Sequence, residues 1–203
     1  MIKNLIRKNR SYRRFFQDVT IEDKTLRELV GLARISPSAA NRQPLKYILS
    51  CEPEKNALVF ASLAWAGYLK DWPGPPEGER PAAYIIILAD TQIIPSIDCD
   101  HGIAAQSILL GAVEKGFGGC ILGAINKKRL RKDLNINARY EILLVIALGR
   151  PKENVILEDT GSDGNIEYYR DKDGTHHVPK RPLNDIIIGS ESQDERPHEQ
   201  AKE

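Results

Sequence analysis

Three arginines and a serine fall within residues 9–15, "NRSYRRF". Guanidinium forks beside a serine hydroxyl suit a phosphate group, because arginine donates paired hydrogen bonds to oxygen anions. A solvated basic turn is the plainer alternative. A second cationic pair, Lys180 and Arg181, stands between prolines in "VPKRPL". Those prolines keep the backbone extended and fix where the charges point, although an exposed tail has the same composition. Between the two lies "GFGGCILG", residues 116–123, with four glycines in eight positions. Glycines let a ligand approach bare amides. The spacing is not GxGxxG, and the stretch follows a helical pattern where the dinucleotide fingerprint follows a strand, so that reading fails. A helix C-cap with a tight entry into a strand is the alternative. The fourth stretch is "SPSAANRQP", residues 36–44, which has small side chains, two prolines, an Asn and a Gln, but no glycine. An ordinary connection of this kind takes about two to six residues. It is either a polar loop or a flat surface shaped to lie against something.

Other groupings carry less. Cys99, Asp100 and His101 are adjacent at a predicted helix start. Neighbours there point about 100° apart and do not pair as nucleophile and base. His176 and His177 fall on opposite faces of a predicted strand and do not chelate one metal. No two carboxylates are spaced for acid–base work, and no metal is expected. Cys51, Cys99 and Cys120 are widely separated, without a CxxC pair. This fits a reducing, cytoplasmic setting. The chain carries 29 basic and 28 acidic residues, a net charge of +1. No global field draws it to nucleic acid or a membrane surface. The longest apolar run, residues 84–89, is too short to span a bilayer. The first ten residues lack the pattern of a signal peptide.

Hydrophobic spacing predicts the elements that must position these motifs. A short helix is expected over 2–8. A second begins at Thr20, with Thr20 and Asp23 as a capping box, and ends before the 36–44 stretch. A strand over 45–51 precedes a helix over 54–69 that carries Trp65. Residues 70–81 hold four prolines and two glycines and must be a loop. A buried strand follows over 82–90. The helix predicted over 98–115 is apolar or small on nearly every face from Ile103 to Val113. Such a helix is buried in a core or between subunits. Asn126 caps a short basic helix, and residues 140–149 form a strand buried on both faces. A hairpin is expected over 166–178 with Asp173-Gly174 at its turn, then a turn of helix after Pro182. Residues 190–203 are almost wholly polar and read as disordered. Helices and strands are mixed, which means α/β or α+β.

Taken in order, "RSYRRF", "SPSAANRQP", "GFGGCILG", "ALGRP" and "VPKRPLNDII" resemble the nitroreductase family of flavin-dependent oxidoreductases, over about Ile2 to Ile188. The resemblance implies an α+β sandwich, a mostly antiparallel sheet flanked by helices. It implies one FMN-binding domain over 1–188, with 189–203 as a polar tail. It also implies a homodimer with FMN at the subunit interface. Arg10 and Ser11 match positions that bind the phosphate and ribityl chain. Arg13 matches the cation at the N1 and C2-carbonyl edge, where it would stabilise the charge of reduced flavin. Leu122 and Gly123 match the backbone facing N5. Pro37, Ser38, Ala39 and Asn41 match the segment laid against the partner's flavin, with Gln43 close behind. Lys180 and Arg181 match the pair that closes on the phosphate. Trp65, Tyr68 and Trp72 either line the mouth or merely pack.

The expected activity is ping-pong hydride transfer from NADH or NADPH through flavin N5 to a nitroaromatic, quinone or similar acceptor. No side chain is expected to act as acid or base. Three departures bear on the substrate: Asn9 where Arg is frequent, Leu45 after "QP" and Ile121 after the Cys, the last two where Trp is usual. They leave open a low-turnover flavin-binding or storage protein, or a specialised relative that cleaves flavin, removes halogen or reduces an enoate.

Overall fold

The longest aliphatic run becomes the centre of a sheet. In the computed structural model, which describes residues 1–96 and 98–189, "AYIIILAD" is strand β3 (Ala83–Asp90), buried at every position. A strand with both faces covered needs no alternation, so continuous Ile is what its surroundings demand. It lies between β2 (Leu45–Ser50) and β5 (Tyr140–Pro151), antiparallel to both. The far edge of β5 is shared. β1 (Phe15–Phe16) pairs with its end at Arg150 and Pro151, and β4 (Gly118–Leu122) pairs with residues 145–149. All four pairings are antiparallel, and the fold is α+β as expected.

Helices α2 (Asp23–Arg34) and α4 (Asp100–Glu114) pack together with the sheet. Leu26 and Leu29 of α2 meet Ala104, Ala105, Ile108 and Ala112 of α4 in one core with Ile85, Ile87 and Ile146. Gly111 lets the two helices close: a Cβ there would stand 2.3 Å from Leu32 Cδ1. α1 (Ile2–Lys8) touches α4, and α3 (Pro53–Phe60) touches β3 and α5 (Lys127–Asp133). Asn126 caps α5 as predicted, its Oδ1 accepting from Arg129 N at 3.0 Å.

Two expectations are corrected. The helix predicted to run to residue 69 stops at Phe60. Beyond it the backbone pairs elsewhere, with Ala64 N donating to Ala124 O at 3.0 Å and Asn126 N to Ser62 O at 2.8 Å. The Thr20–Asp23 capping box does not form. Glu22 is the extended N-cap, and Ile21 is buried just ahead of it. The expectation for α4 is burial in a core or between subunits; within one chain Gly102 and Gln106 are exposed and Ile103, Leu110 and Val113 are half-buried, which leaves the subunit alternative open.

Residues 155–189 belong to a second compact unit. Its β6 (Val155–Asp159) runs parallel to β8 (His176–Lys180), and β7 (Tyr169–Arg170) pairs antiparallel with β8. The predicted hairpin is present, with Gly174 at φ +79° and its N–H donating to Asp171 O at 3.1 Å. His176 is buried, while His177 lies between Glu158 and Asp171, 2.9 and 3.2 Å from their carboxylate oxygens. A single turn, α6 (Leu183–Ile186), follows. The disorder expected for 190–203 falls outside the described residues.

Candidate functional site

Residues 9–13 run alongside the glycine-rich strand. Ser11 forms a parallel bridge with Gly119, and Tyr12 N donates to Gly119 O at 3.0 Å. Gly118 permits this approach, and Gly119 the close seating of β4 on β5. A Cβ at Gly118 would meet the Tyr12 ring at 2.5 Å, and one at Gly119 would meet Ala147 O at 2.4 Å. Gly116, at φ +79°, turns the chain out of α4. Gly123 is different. It is exposed beyond the end of β4, and the nearest atom to a Cβ there is Leu144 Cδ2 at 3.9 Å. Leu122 buries its side chain.

Arg10 donates one Nη to Ile6 O at 2.6 Å. Its Nε is buried and finds no hydrogen-bond partner among the described residues. Burial holds its pKa below the usual guanidinium value. Ser11 beside it is exposed. Arg13 is buried, with Nη1 donating to Ser11 O at 3.2 Å and its backbone N–H to the Glu153 carboxylate. Arg14 N also reaches Glu153 Oε1, at 3.3 Å. Cys120 is buried, and burial pushes its thiol up, so it offers no thiolate.

Two acids absent from the motifs fasten this region. Glu79 receives both Nε and Nη2 of Arg14, the latter at 2.7 Å, and Lys152 Nζ at 3.0 Å. Hydrogen bonding to Arg14 holds its carboxyl down to about 2. Gln17 Oε1 accepts from Gly78 N at 2.8 Å and Arg80 N at 3.1 Å. The proline-rich loop is thereby tied to the arginine motif. Its Trp65 neighbour packs rather than lining a mouth. Trp65 is buried against Phe60, ring centroids 5.9 Å apart, and under Gly74. Tyr68 is exposed and Trp72 half-buried.

The 36–44 stretch sits at the first turn of α4. Ser38 Oγ donates to Asp100 Oδ2 at 2.6 Å and Ala39 N to Asp100 Oδ1 at 3.0 Å. Ser36 Oγ lies 2.7 Å from Ser107 Oγ. Although it has no glycine, Ala40, Asn41 and Gln43 hold φ of +49°, +52° and +52°. Pro37, Ala39, Asn41 and Gln43 are exposed. A cleft of about 630 Å³ opens beside them, lined among others by Val30, Arg34, Pro37, Gln43 and Tyr47.

One helix therefore carries both groups. Asp100 holds the loop, and Gln106 Oε1 accepts from Asn9 Nδ2 at 3.2 Å. Six residues of helix separate these attachments by about 9 Å along its axis. Arg10, Ser11 and Arg13 lie together at β4, which ends in Leu122 just before Gly123, while Pro37, Ser38, Ala39, Asn41 and Gln43 are held apart at the start of α4. Lys180 ends β8 in the second unit, followed by Arg181, and both are exposed. Sequence reasoning missed Asp100, Glu79 and Glu153 because their partners stand 61 to 140 residues away. The nearest local signal is an acid at a helix start, Asp100 between Cys99 and His101.

Among the described residues no group of His, Cys, Asp and Glu could hold a metal ion. The Arg10–Ser11 face suits an anion, the open backbone at Gly123 suits close approach of a ring, and the exposed loop suits a flat surface.

A family model described as "Nitroreductase family" matches residues 6–150. A curated relative from Archaeoglobus fulgidus, provisionally named NADH dehydrogenase/NAD(P)H nitroreductase, is 26% identical over 69% of this chain and 80% of its own. The solved structure of an FMN-dependent nitroreductase from Clostridium difficile R20291 is 25% identical, with a TM-score of 0.61 over 76% of this chain and 89% of that one. A nitroreductase family protein from Streptococcus pneumoniae TIGR4 is 19% identical and shares the fold, with a TM-score of 0.66 over 94% of this chain and 100% of its own.

Proposed function

This chain belongs to the nitroreductase family, and from that membership together with the geometry at Arg10 we propose a ping-pong oxidoreductase that works as a homodimer with FMN at the subunit interface. The general activity is that of a flavin-dependent NAD(P)H oxidoreductase. When bound, FMN supplies hydride acceptance from NADH or NADPH at N5 and return of the electrons to a nitroaromatic, quinone or similar acceptor.

The observation that carries the cofactor site is the buried Nε of Arg10, without a hydrogen-bond partner among the described residues, beside the exposed Ser11. A buried donor left unsatisfied costs about 1–3 kcal/mol, which a phosphate oxygen would remove. Arg10 and Ser11 bind the phosphate and ribityl chain, and Lys180 and Arg181 add the second cationic pair. Arg13 presents positive charge to the N1 and C2-carbonyl edge from a buried position, where screening by water is weak. The backbone of Leu122 and Gly123 faces N5, and Gly123 leaves room for the ring. Pro37, Ser38, Ala39, Asn41 and Gln43 form the wall supplied to the partner's flavin. The half-buried Ile103, Leu110 and Val113 on α4 support a subunit contact there. No side chain is assigned as acid or base.

Among the described residues no helix is long and apolar enough to cross a membrane, and a cytoplasmic setting is part of the reading. Initial rates with NADH or NADPH against a nitroaromatic or quinone test the mechanism. Parallel double-reciprocal lines are expected. Intersecting lines would contradict the ping-pong order.

A further inference from the structure

We propose that Asp100 is the positioning residue of the cofactor-facing loop: its carboxylate holds Ser38 and Ala39 so that Ala40, Asn41 and Gln43 keep the left-handed backbone the site requires. The inference rests on the flavin reading above.

The geometry is that of a latch. Asp100 is 6% exposed and stands at the first position of a 15-residue helix packed into the core. Each of its oxygens takes one donor from the loop, Ser38 Oγ at 2.6 Å and Ala39 N at 3.0 Å. Ser38 Oγ in turn accepts from Gln43 N at 3.0 Å, which closes the loop on itself across Ala40 and Asn41. Bonds to an ionised acceptor are the stronger kind, and burial strengthens them further. The negative charge also sits where the helix dipole favours it. Tyr47 lies within its field: burial first, then the Asp100 charge, push that hydroxyl up to about 12.

Something must hold this loop. Ala40 and Gln43 have side chains and yet adopt positive φ, as does Asn41. Such residues persist only where the surroundings over-determine them, and they gather at ligand-facing segments. The other side-chain bonds within the turn, Gln43 Nε2 to Asn41 O and Oδ1 at 3.1 Å, are exposed and compete with water. Asp100 is the buried fastening that transmits the rigidity of α4 to the loop. Without it the strained backbone relaxes, and only a fraction of molecules present the wall. Apparent affinity falls by that fraction.

The test compares wild type, Asp100→Asn, Ser38→Ala and Cys99→Ser. Two readouts are used: FMN dissociation constants, and hydrogen exchange at amides 39–43 in protein free of FMN. Asp100→Asn keeps shape and removes charge. Ser38→Ala removes one arm of the latch, leaves Asp100 in place, and carries the test if Asp100→Asn does not fold. Expected are an FMN affinity at least about tenfold weaker and faster exchange at 39–43 in both variants, with exchange in β3 unchanged. The double variant Asp100→Asn/Ser38→Ala, made alongside the singles, is expected to lose less than their sum, because both act on one latch. Cys99→Ser, an exposed neighbour, leaves both readouts as in wild type. Unchanged affinity and unchanged exchange in a folded variant overturn the proposal. If wild type binds no FMN, the flavin reading fails. The exchange arm then decides the latch alone, and equal rates in wild type and variants overturn it.

Discussion

Glu79 offers a magnitude that can be worked from the structure. Its carboxyl falls from the ordinary 4.5 to about 2, chiefly through Arg14 and then Lys152. At about 1.4 kcal/mol per unit, the shift is worth at most about 3 kcal/mol of folding stability. The partners are partly exposed, 31% for Arg14 and 38% for Lys152. Solvent screening reduces the contribution to about 1–2 kcal/mol. The folded-state value is depressed, so the stabilisation is present above the unfolded value of 4.5 and is lost as pH falls toward about 2. Replacing Glu79 by Gln keeps the shape and removes the charge. Urea unfolding of the FMN-free protein is the assay. The variant is expected to be about 1–2 kcal/mol less stable near neutral pH, with the gap closing as pH falls below about 4.5. A gap that is absent at neutral pH, or that stays constant down to about pH 3, would refute the argument.

Three further outcomes are expected. Gly119→Ala destabilises more than Gly111→Ala, because its Cβ meets Ala147 backbone oxygen at 2.4 Å, whereas at Gly111 it meets the movable end of Leu32; thermal unfolding ranks the two. His177 titrates above 6.5, because Glu158 and then Asp171 hold its charged form. Its contribution is complete below 6.5 and lost as pH rises through the raised value, so an NMR titration should show the elevated pKa in wild type and a lower one in Glu158→Gln. Replacing Lys180 and Arg181 together by Ala weakens FMN binding more at low salt than at high salt, because screening already mutes the lost attraction at high salt. Equal losses at both would refute the phosphate role.

Local chemistry made much of the fold legible. The β3 run is short, continuous and rich in Ile, which a strand covered on both faces accommodates and an amphipathic helix does not. Asn126 announced its helix and Asp173-Gly174 its turn, since both act within a few residues. The order of the arginine, small-residue and glycine motifs carried the family. Tertiary choices stayed hidden. The helix ends at Phe60 because residues 62–64 find backbone partners at 124–126. Nothing local announces that pairing. The left-handed Ala40 and Gln43 contradict propensity, and the Asp100 contacts that accompany them lie about sixty residues along the chain. Glu79 reads as one acid in a proline-rich loop until the fold brings Arg14 and Lys152 to it. Of the glycines in that stretch, Gly118 and Gly119 serve packing and Gly116 a turn, which leaves Gly123, exposed beyond β4, for a ligand surface.

The central claim is that this chain binds FMN through the Arg10–Ser11 face. Titration of the purified protein with FMN, followed by flavin fluorescence and absorbance in wild type and Arg10→Ala, tests it most directly. The account predicts saturable binding at one site per chain in wild type and a large loss of affinity in Arg10→Ala. Absence of flavin binding in the wild type, or equal affinity in the two proteins, would contradict it.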